Sequence, residues 1–193
     1  RGGKGVTGAG TKEDDFIEHM FVASTHQYIL FFTDRGRCYW LKVHEVPEGG
    51  RTARGRSVVN LLDKDKDDNI TAFVAVKEFR EDQYLIMATQ KGTIKKTVLA
   101  AYGNVRKGGI NAINLAAGDS LIEVKMTDGK NDIVIGTSHG FAIRFNEKDV
   151  RDMGRTATGV RGVRLGKGDH VVGLLVIRND QTTVLVVTEK GFG

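Results

Sequence analysis

The tetrapeptide Thr89-Gln90-Lys91-Gly92 is one copy of a motif, Thr-x-x-Gly, that occurs four times at a regular interval. Each copy follows a run of apolar and β-branched residues, and the first three are followed by a second such run. Two short strands around a turn that ends in glycine form a β-hairpin, because glycine supplies the positive φ that the turn needs. A period near fifty residues is typical of a protein built from repeated units. The turn glycines are Gly36, Gly92, Gly140 and Gly191, which are separated by 56, 48 and 51 residues.

The runs beside these turns predict the hairpin strands and leave almost no room for helix. A single helical turn is expected over residues 147–153. The predicted first strands are residues 28–32, 84–88, 132–136 and 183–187, and the predicted second strands are residues 37–43, 93–99 and 141–145.

A second element, which we call the basic loop, recurs after each hairpin. It joins arginine or lysine to small residues and glycine, and its first arginine follows the turn glycine by 15, 14 and 15 residues. A strand with spaced apolar residues comes next in every copy. Such constant spacing is harder to obtain by chance than the glycine period itself. The copies are residues 51–55, 106–109 and 155–159.

An acidic turn precedes the strand that opens each repeat, as at Asp119 and Asp169. We expect these to be ordinary loop residues that bond their own backbone. Each repeat is therefore predicted to form one sheet of four short strands within about fifty residues. The chain is expected to be a single domain over residues 1–193, with repeats at about 1–13 (partial), 14–65, 66–116, 117–166 and 167–193 (partial).

These features predict an all-β, propeller-like protein. Glycine accounts for 25 of the 193 residues, and there is one proline, which fits a fold with many turns. A four-stranded sheet of this length buries its faces only by stacking on neighbouring sheets. The repeats are therefore expected to lie side by side as blades in a disc or arc.

The charge and cysteine content favour an intracellular protein with an anionic partner. Lysine and arginine number 29 against 24 acidic residues, so the net charge is +5. The single cysteine, Cys38, excludes an internal disulfide, indicates a reducing compartment and is expected to be a buried thiol. No apolar run has transmembrane length and no signal peptide opens the chain, so we expect no membrane partner and a cytoplasmic location.

The recurring cations are the candidate functional residues. Any one of them alone is an ordinary surface residue, but equivalent positions in stacked blades lie on one rim and form a continuous positive stripe. Glycines beside them let a backbone approach a phosphate closely. We expect Arg51, Arg54, Arg106, Lys107 and Arg155 to share one rim. The full candidate set for DNA binding is Arg1, Lys4, Arg35, Arg37, Arg51, Arg54, Arg56, Lys91, Lys95, Lys96, Arg106, Lys107, Arg144, Arg155, Arg161, Arg164 and Lys190.

No constellation in the sequence supports catalysis or a metal site. None of the five histidines has a His-x-x-x-His spacing, and the acidic run over residues 63–68 lacks the glycine and glutamate of a calcium loop. There is no P-loop or Gly-x-Ser-x-Gly motif. Since no recognition helix is apparent, the sequence predicts sequence-tolerant binding of a bent duplex. The alternative is a propeller-type protein-interaction scaffold, and the salt dependence of DNA binding separates the two.

Several segments together resemble the C-terminal domain of DNA gyrase A. Residues 1–5 resemble the end of the Gln-Arg-Arg-Gly-Gly-Lys/Arg-Gly box of that family, and residues 29–62, 87–99 and 158–165 are very similar to it. The leading glutamine and first arginine of the box are not in this sequence. The C-terminal domain of topoisomerase IV, whose box is degenerate, is the close alternative, and the Arg-Gly-Gly-Lys-Gly remnant favours gyrase.

The resemblance implies a six-bladed β-pinwheel, of which this chain holds about four blades. It also implies that duplex DNA wraps around a basic outer rim and supports negative supercoiling by the parent enzyme, a type II topoisomerase. The implied partners are the gyrase core and the second gyrase polypeptide, gyrase B, in an A2B2 assembly. ATP and Mg would be used by that complex, and no cofactor is expected in this segment. The catalytic tyrosine would lie outside this chain, so no catalytic activity is expected here.

Overall fold

The computed structural model describes residues 21–50, 53, 55, 61–65, 67–104, 106, 108–178, 183–187 and 190. These residues are all-β, with short 3-10 turns as their only helical structure. The strands, in chain order, are β1 (Tyr28–Thr33), β2 (Arg37–Lys42), β3 (Ile70–Val76), β4 (Tyr84–Thr89), β5 (Thr93–Val98), β6 (Ile110–Asn111), β7 (Leu121–Thr127), β8 (Asp132–Thr137), β9 (Ala142–Asn146), β10 (Val160–Arg161) and β11 (Val171–Ile177).

The strands form three antiparallel sheets, and each sheet combines two consecutive repeats. Sheet A has the order β3-β1-β2-β6, sheet B has the order β7-β4-β5-β10, and sheet C has the order β11-β8-β9. In sheets A and B a hairpin from one repeat is flanked by two strands of the next repeat. We call these the opening strand (β3 in sheet A, β7 in sheet B) and the closing strand (β6 in sheet A, β10 in sheet B). The prediction that one repeat forms one sheet is therefore wrong. The cause is that a closing strand finds its partner on the preceding hairpin, a pairing that local sequence patterns do not encode.

The first three predicted hairpins are confirmed to within one residue at each strand end. The strand predicted at residues 183–187 is wrong, because these residues form no strand and are exposed. The helical turn predicted at residues 147–153 is shorter, at Glu147–Asp149. Equivalent 3-10 turns, which the sequence analysis missed, lie at Val43–Glu45 and Leu99–Tyr102.

The turn glycine is the point at which the closing strand of the next repeat attaches. The carbonyl oxygen of Gly36 accepts hydrogen bonds from the backbone N–H groups of Ala112 at 2.8 Å and Ile113 at 3.3 Å. The carbonyl oxygen of Gly92 accepts in the same way from Gly162 at 2.8 Å and Val163 at 3.2 Å. The close passage of the closing strand leaves no room for a side chain at either glycine.

The sheets stack side by side, and neighbouring sheets meet chiefly where β7 contacts β3 on one side and β11 on the other. We call these three the inner strands. The hairpin strands of sheet B, β4 and β5, are covered on both faces. Alternate residues of β4 therefore enter different cores: Leu85 and Met87 pack toward sheet A, whereas Ile86 and Ala88 pack toward sheet C. Cys38 is buried in the core between sheets A and B, as predicted, and burial raises the pKa of its thiol.

Backbone hydrogen bonds also join neighbouring sheets. The carbonyl oxygen of Asp34, in the first hairpin turn, accepts from the N–H of Leu121 at the start of β7 at 2.9 Å. The carbonyl oxygen of Gln90 accepts from the N–H of Val171 at the start of β11, also at 2.9 Å. The hairpin turns therefore lie on the face of the assembly where the inner strands begin.

Sheet C lacks a closing strand among the described residues. A Cβ built on Gly36 would lie 2.7 Å from the Ile113 carbonyl oxygen, and one built on Gly92 would lie 2.9 Å from the Val163 carbonyl oxygen. A Cβ built on Gly140 would meet nothing within 4 Å. All three glycines have φ between +77° and +85°. The third turn thus has the same backbone strain without the same crowding.

We expect Gly36→Ala and Gly92→Ala to destabilise the chain more than Gly140→Ala. All three add roughly 1–2 kcal/mol of strain from a positive φ, and the first two add roughly 1–3 kcal/mol more by pressing on backbone. Urea unfolding of the three variants measures the difference. Equal losses at all three positions would contradict the role given to the closing strand.

Candidate nucleic-acid interface

The basic loops lie at the edge of the assembly that is opposite the inner strands. The loop at residues 106–109 leads into β6 and the loop at residues 155–159 leads into β10, and these two strands are the outermost members of sheets A and B. We call these two loops with their strands the outer edge. The loop at residues 51–55 falls largely outside the described residues. The structure therefore places Arg106 and Arg155 at equivalent positions on neighbouring sheets.

Side chains of strand β2 contact the first of these loops. Arg106 itself is exposed. The guanidinium of Arg37 donates to the Gly108 carbonyl oxygen at 2.5 Å and lies 6.0 Å from the centre of the Tyr39 ring. Arg37 is half-buried and occupied with this loop, so it supports the outer edge rather than presenting a free cation.

The second loop is followed by two exposed arginines. Arg161 on β10 and Arg164 just beyond it are both exposed. Arg155 is half-buried, and its guanidinium donates to the carbonyl oxygen of Asn111 in β6. Arg155 thus bridges the closing strand of one sheet to the basic loop of the next.

The loop glycines serve the packing of the loops, which the sequence analysis did not foresee. A Cβ on Gly109 would lie 2.6 Å from the Tyr39 ring, and one on Gly159 would lie 2.6 Å from the Ile94 carbonyl oxygen. Their φ angles are +73° and +108°. Gly108 differs, because a Cβ there would meet nothing within 4 Å. Of the three, Gly108 alone leaves its backbone open to a ligand.

The cations of the hairpin turns lie on the face where the inner strands begin, apart from the outer edge. Lys91 is exposed, and its Nζ donates to the Ala117 carbonyl oxygen at 2.8 Å. The Nε of Arg35 lies 3.6 Å from the Asp68 carboxylate. Both side chains are therefore directed at the acidic turn that precedes an inner strand.

The acidic turns do more than the local bonding expected of them. The carboxylate of Asp119 accepts from the backbone N–H of Lys91 at 2.9 Å, and that of Asp169 accepts from the N–H of His139 at 3.0 Å. Desolvation would raise the pKa of Asp169, but donors that include the Ser138 hydroxyl and the N–H groups of His139 and His170 hold it at about 2. These aspartates therefore clamp the tip of the hairpin. The recurrence of an acidic residue before each inner strand was the sequence feature that could have indicated this role.

Lys95 and Lys96 are a correction to the predicted set, because both are buried. Lys95 is 0% exposed and its Nζ donates to the carbonyl oxygens of Ala112 and Arg155. Lys96 is 6% exposed, and its Nζ lies 2.8 Å from the Asp152 carboxylate. Both faces of β5 are covered by neighbouring chain, so alternation along the strand exposes neither lysine.

Arg144 and Lys190 are exposed, but neither lies on the described outer edge. Arg144 is in β9, where its Nε donates to the Asp132 carboxylate at 2.8 Å. Asn146 and Arg144 bond this carboxylate and hold the pKa of Asp132 below its usual value. The remaining members of the predicted set, namely Arg1, Lys4, Arg51, Arg54, Arg56 and Lys107, lie outside the described residues.

Burial, together with the charge of Arg155, lowers the pKa of Lys95 from 10.5 to about 7. Between these values the unfolded chain binds a proton that the folded chain does not, so folding becomes more favourable as pH rises. We compare the free energy of unfolding of the unaltered chain with that of the Lys95→Met variant at each pH. The difference between the two is expected to rise by at most about 1.4 kcal/mol per pH unit above pH 7. Urea unfolding of both at pH 6 to 9.5 measures this, and a flat or falling difference would contradict it.

No helix in the described part of the chain is long and apolar enough to cross a bilayer. Within the same residues no three His, Cys, Asp or Glu side chains are grouped so that they could hold a metal ion.

Comparison with known proteins gives a consistent result. The chain matches the family described as "DNA gyrase C-terminal domain, beta-propeller" over residues 1–24, 27–76, 83–128 and 131–178. The last three segments each begin with a hairpin and end with the inner strand paired to it, which is the unit that the sheets display.

The relatives include the DNA gyrase A proteins of two bacteria. The protein of Clostridium acetobutylicum is 54% identical over 162 residues, which cover 84% of this chain and 20% of the relative. The protein of Escherichia coli K12 is 48% identical over 193 residues, which cover 100% of this chain and 22% of the relative. The chain thus spans about a fifth of the length of these relatives.

Solved structures show the same fold. The C-terminal domain of DNA topoisomerase IV superimposes with a TM-score of 0.74 at 31% identity, over 80% of this chain and 48% of that one. The DNA gyrase A C-terminal domain superimposes with a TM-score of 0.68 at 21% identity, over 89% of this chain and 57% of that one. Since the family match covers most of the sequence, this chain belongs to the family of DNA gyrase C-terminal domains.

Proposed function

We propose that this chain binds duplex DNA without sequence preference and bends it along the outer edge. The observation that supports this is the position of the basic loops. Two consecutive sheets present them at the same edge, next to the two-residue strands β6 and β10. A duplex that follows this edge meets cations at a regular interval, which suits a polymer of evenly spaced phosphates.

The side chains of this edge are suited to phosphate rather than to bases. Arg106, Arg161 and Arg164 are exposed, and arginine binds phosphate through a planar fork of donors. Within the described residues no helix long enough to enter the major groove is present. Contacts to phosphate position DNA and carry no sequence information. The expected specificity is therefore for a bendable duplex rather than for a base sequence.

The free energy needed to bend the duplex determines how many phosphate contacts the chain must make. Curving 20–30 base pairs by 40–90° costs on the order of 1–6 kcal/mol. A single exposed cation contributes too little to offset this, so the contacts of several sheets must add. The curvature of the duplex thus depends on the angle between neighbouring sheets as well as on the charges.

The wider function follows from the family. The chain would serve a gyrase in which the core and gyrase B, in an A2B2 assembly, perform strand passage with ATP and Mg. The wrapped duplex would present a crossing to that core and favour negative supercoiling. Catalysis would then reside outside this segment, and the protein would work in the cytoplasm.

DNA binding across a salt series tests the proposal. A duplex of about 20 base pairs and one several times longer carry a donor and an acceptor dye at their ends, and the 193-residue chain is titrated into each. We expect affinity that falls steeply with salt, is independent of sequence, and grows with duplex length together with energy transfer. Weak binding that is independent of length and leaves the ends apart would contradict wrapping. Binding that does not change with salt would favour a protein-interaction scaffold.

A charge change at the outer edge locates the contact. We expect Arg161→Ala to weaken binding to all sequences alike and to reduce the slope of log affinity against log salt by about 1. Lys77→Ala is the matched control, since Lys77 is exposed at the end of the inner strand β3. Equal effects of the two variants would place the duplex elsewhere.

A further inference from the structure

We propose that Lys95 is a positioning residue for DNA wrapping, which fixes the basic loop at residues 155–159 relative to sheet B and the closing strand of sheet A. This inference rests on the proposed function. Lys95 is buried and would not contact DNA itself. It determines where the arginines of the loop stand.

The bonds of Lys95 join two parts of the outer edge. Its Nζ donates to the carbonyl oxygen of Ala112, in the segment that closes sheet A, and to that of Arg155, at the start of the second basic loop. The Tyr102 hydroxyl donates to the same Ala112 oxygen at 3.1 Å. The guanidinium of Arg155 then returns to the carbonyl oxygen of Asn111. The result is a closed set of bonds between successive segments of the edge.

The adjacent residue holds the same connection from the other face of β5. The Nζ of Lys96 lies 2.8 Å from the Asp152 carboxylate, and its carbonyl oxygen accepts from the N–H of Met153 at 2.9 Å. Lys96 and Asp152 also form an isolated parallel bridge. The segment from Asp152 to Arg155, which leads into the basic loop, is therefore fixed to sheet B at both ends.

The equivalent position in sheet A also contacts a basic loop, but through an aromatic ring rather than an amine. Counting three residues from the turn glycine gives Tyr39 in sheet A, Lys95 in sheet B and Ile143 in sheet C. Tyr39 packs its ring against Gly109 of the first basic loop. Ile143 is 39% exposed, and no closing strand covers it among the described residues. This position therefore supports a basic loop wherever the next repeat supplies one.

The surroundings of Lys95 show that its buried amine has specific partners. Its charged neighbour is Arg155, and the titratable groups of the adjoining core are Tyr102 and Cys38. The structure pairs the amine with carbonyl oxygens rather than with a carboxylate. Such a group is costly to bury, so its bonds to the two carbonyl groups are what hold it there.

The test compares bending with binding. Lys95→Met keeps the length of the side chain and removes the donor, whereas Lys95→Gln keeps a donor that is too short to span both oxygens. Lys125→Met is the control for loss of one charge, since Lys125 lies on the inner strand β7. Ile133→Val is the control for loss of stability, since Ile133 is buried in the core between sheets B and C. All are measured well below their unfolding temperatures on the short and long duplexes described above.

We expect both Lys95 variants to bind the short duplex within about twofold of the unaltered chain, and to lose about tenfold in affinity for the long duplex together with most of its energy transfer. The two controls should bend the long duplex as the unaltered chain does. Wild-type bending by a folded Lys95→Gln would overturn the inference, even where Lys95→Met does not fold. Equal losses with Ile133→Val would also overturn it, because the effect would then be one of stability. Failure of the unaltered chain to bind or bend DNA would instead remove the proposed function, and the inference with it.

Discussion

The fold depends on one repeated interaction, in which the carbonyl oxygen of a turn glycine accepts from two N–H groups that directly follow the closing strand of the next repeat. At Gly36 the donors are Ala112 and Ile113, and at Gly92 they are Gly162 and Val163. Because each bond pair joins successive repeats, no sheet can be completed within its own fifty residues. Stability is therefore shared between neighbours, as in other repeat proteins. The same interaction brings each basic loop to the outer edge, since the loop immediately precedes the strand that is bound.

The sequence predicts the parts of this fold better than their assembly. The Thr-x-x-Gly turns and their flanking strands follow from local pattern, because a hairpin is a local structure whose turn chemistry is visible in four residues. The composition of the sheets does not follow, because a closing strand has the same apolar spacing whichever hairpin it joins. The constant distance from turn glycine to basic loop indicates a recurring element, but not which sheet the loop joins. The repeats and the composition predict the fold class, the family resemblance implies the same class, and the pairing needed the structure.

The candidate site stays a prediction, and two of the side chains assigned to it are buried. The basic loops are placed together at the outer edge, as far as the described residues allow. Lys95 and Lys96 are wrong members of the candidate set because they lie within β5, where both faces are covered, rather than at the exposed hairpin turn. Sheet B is covered on one face by sheet A and on the other by sheet C, so polar residues of its hairpin are forced to find partners inside. A run of two lysines in a strand of a central blade is thus weak evidence for surface charge.

One diagonal position across the hairpins shows how freely the repeats solve a common problem. It holds Tyr28 with Trp40, whose rings are 5.1 Å apart, then Tyr84 with Lys96 at 4.8 Å, and then Asp132 with Arg144 in an ion pair. Three kinds of attraction occupy one geometry, because the position requires contact between two side chains rather than a particular chemistry. The backbone bonds at the turn glycine allow no such substitution. Repeats can therefore diverge in their side chains, including the charges of the outer edge, while the pairing of the strands stays fixed. If the outer edge binds the uniform DNA backbone as proposed, it requires only that enough positive charge remain along it.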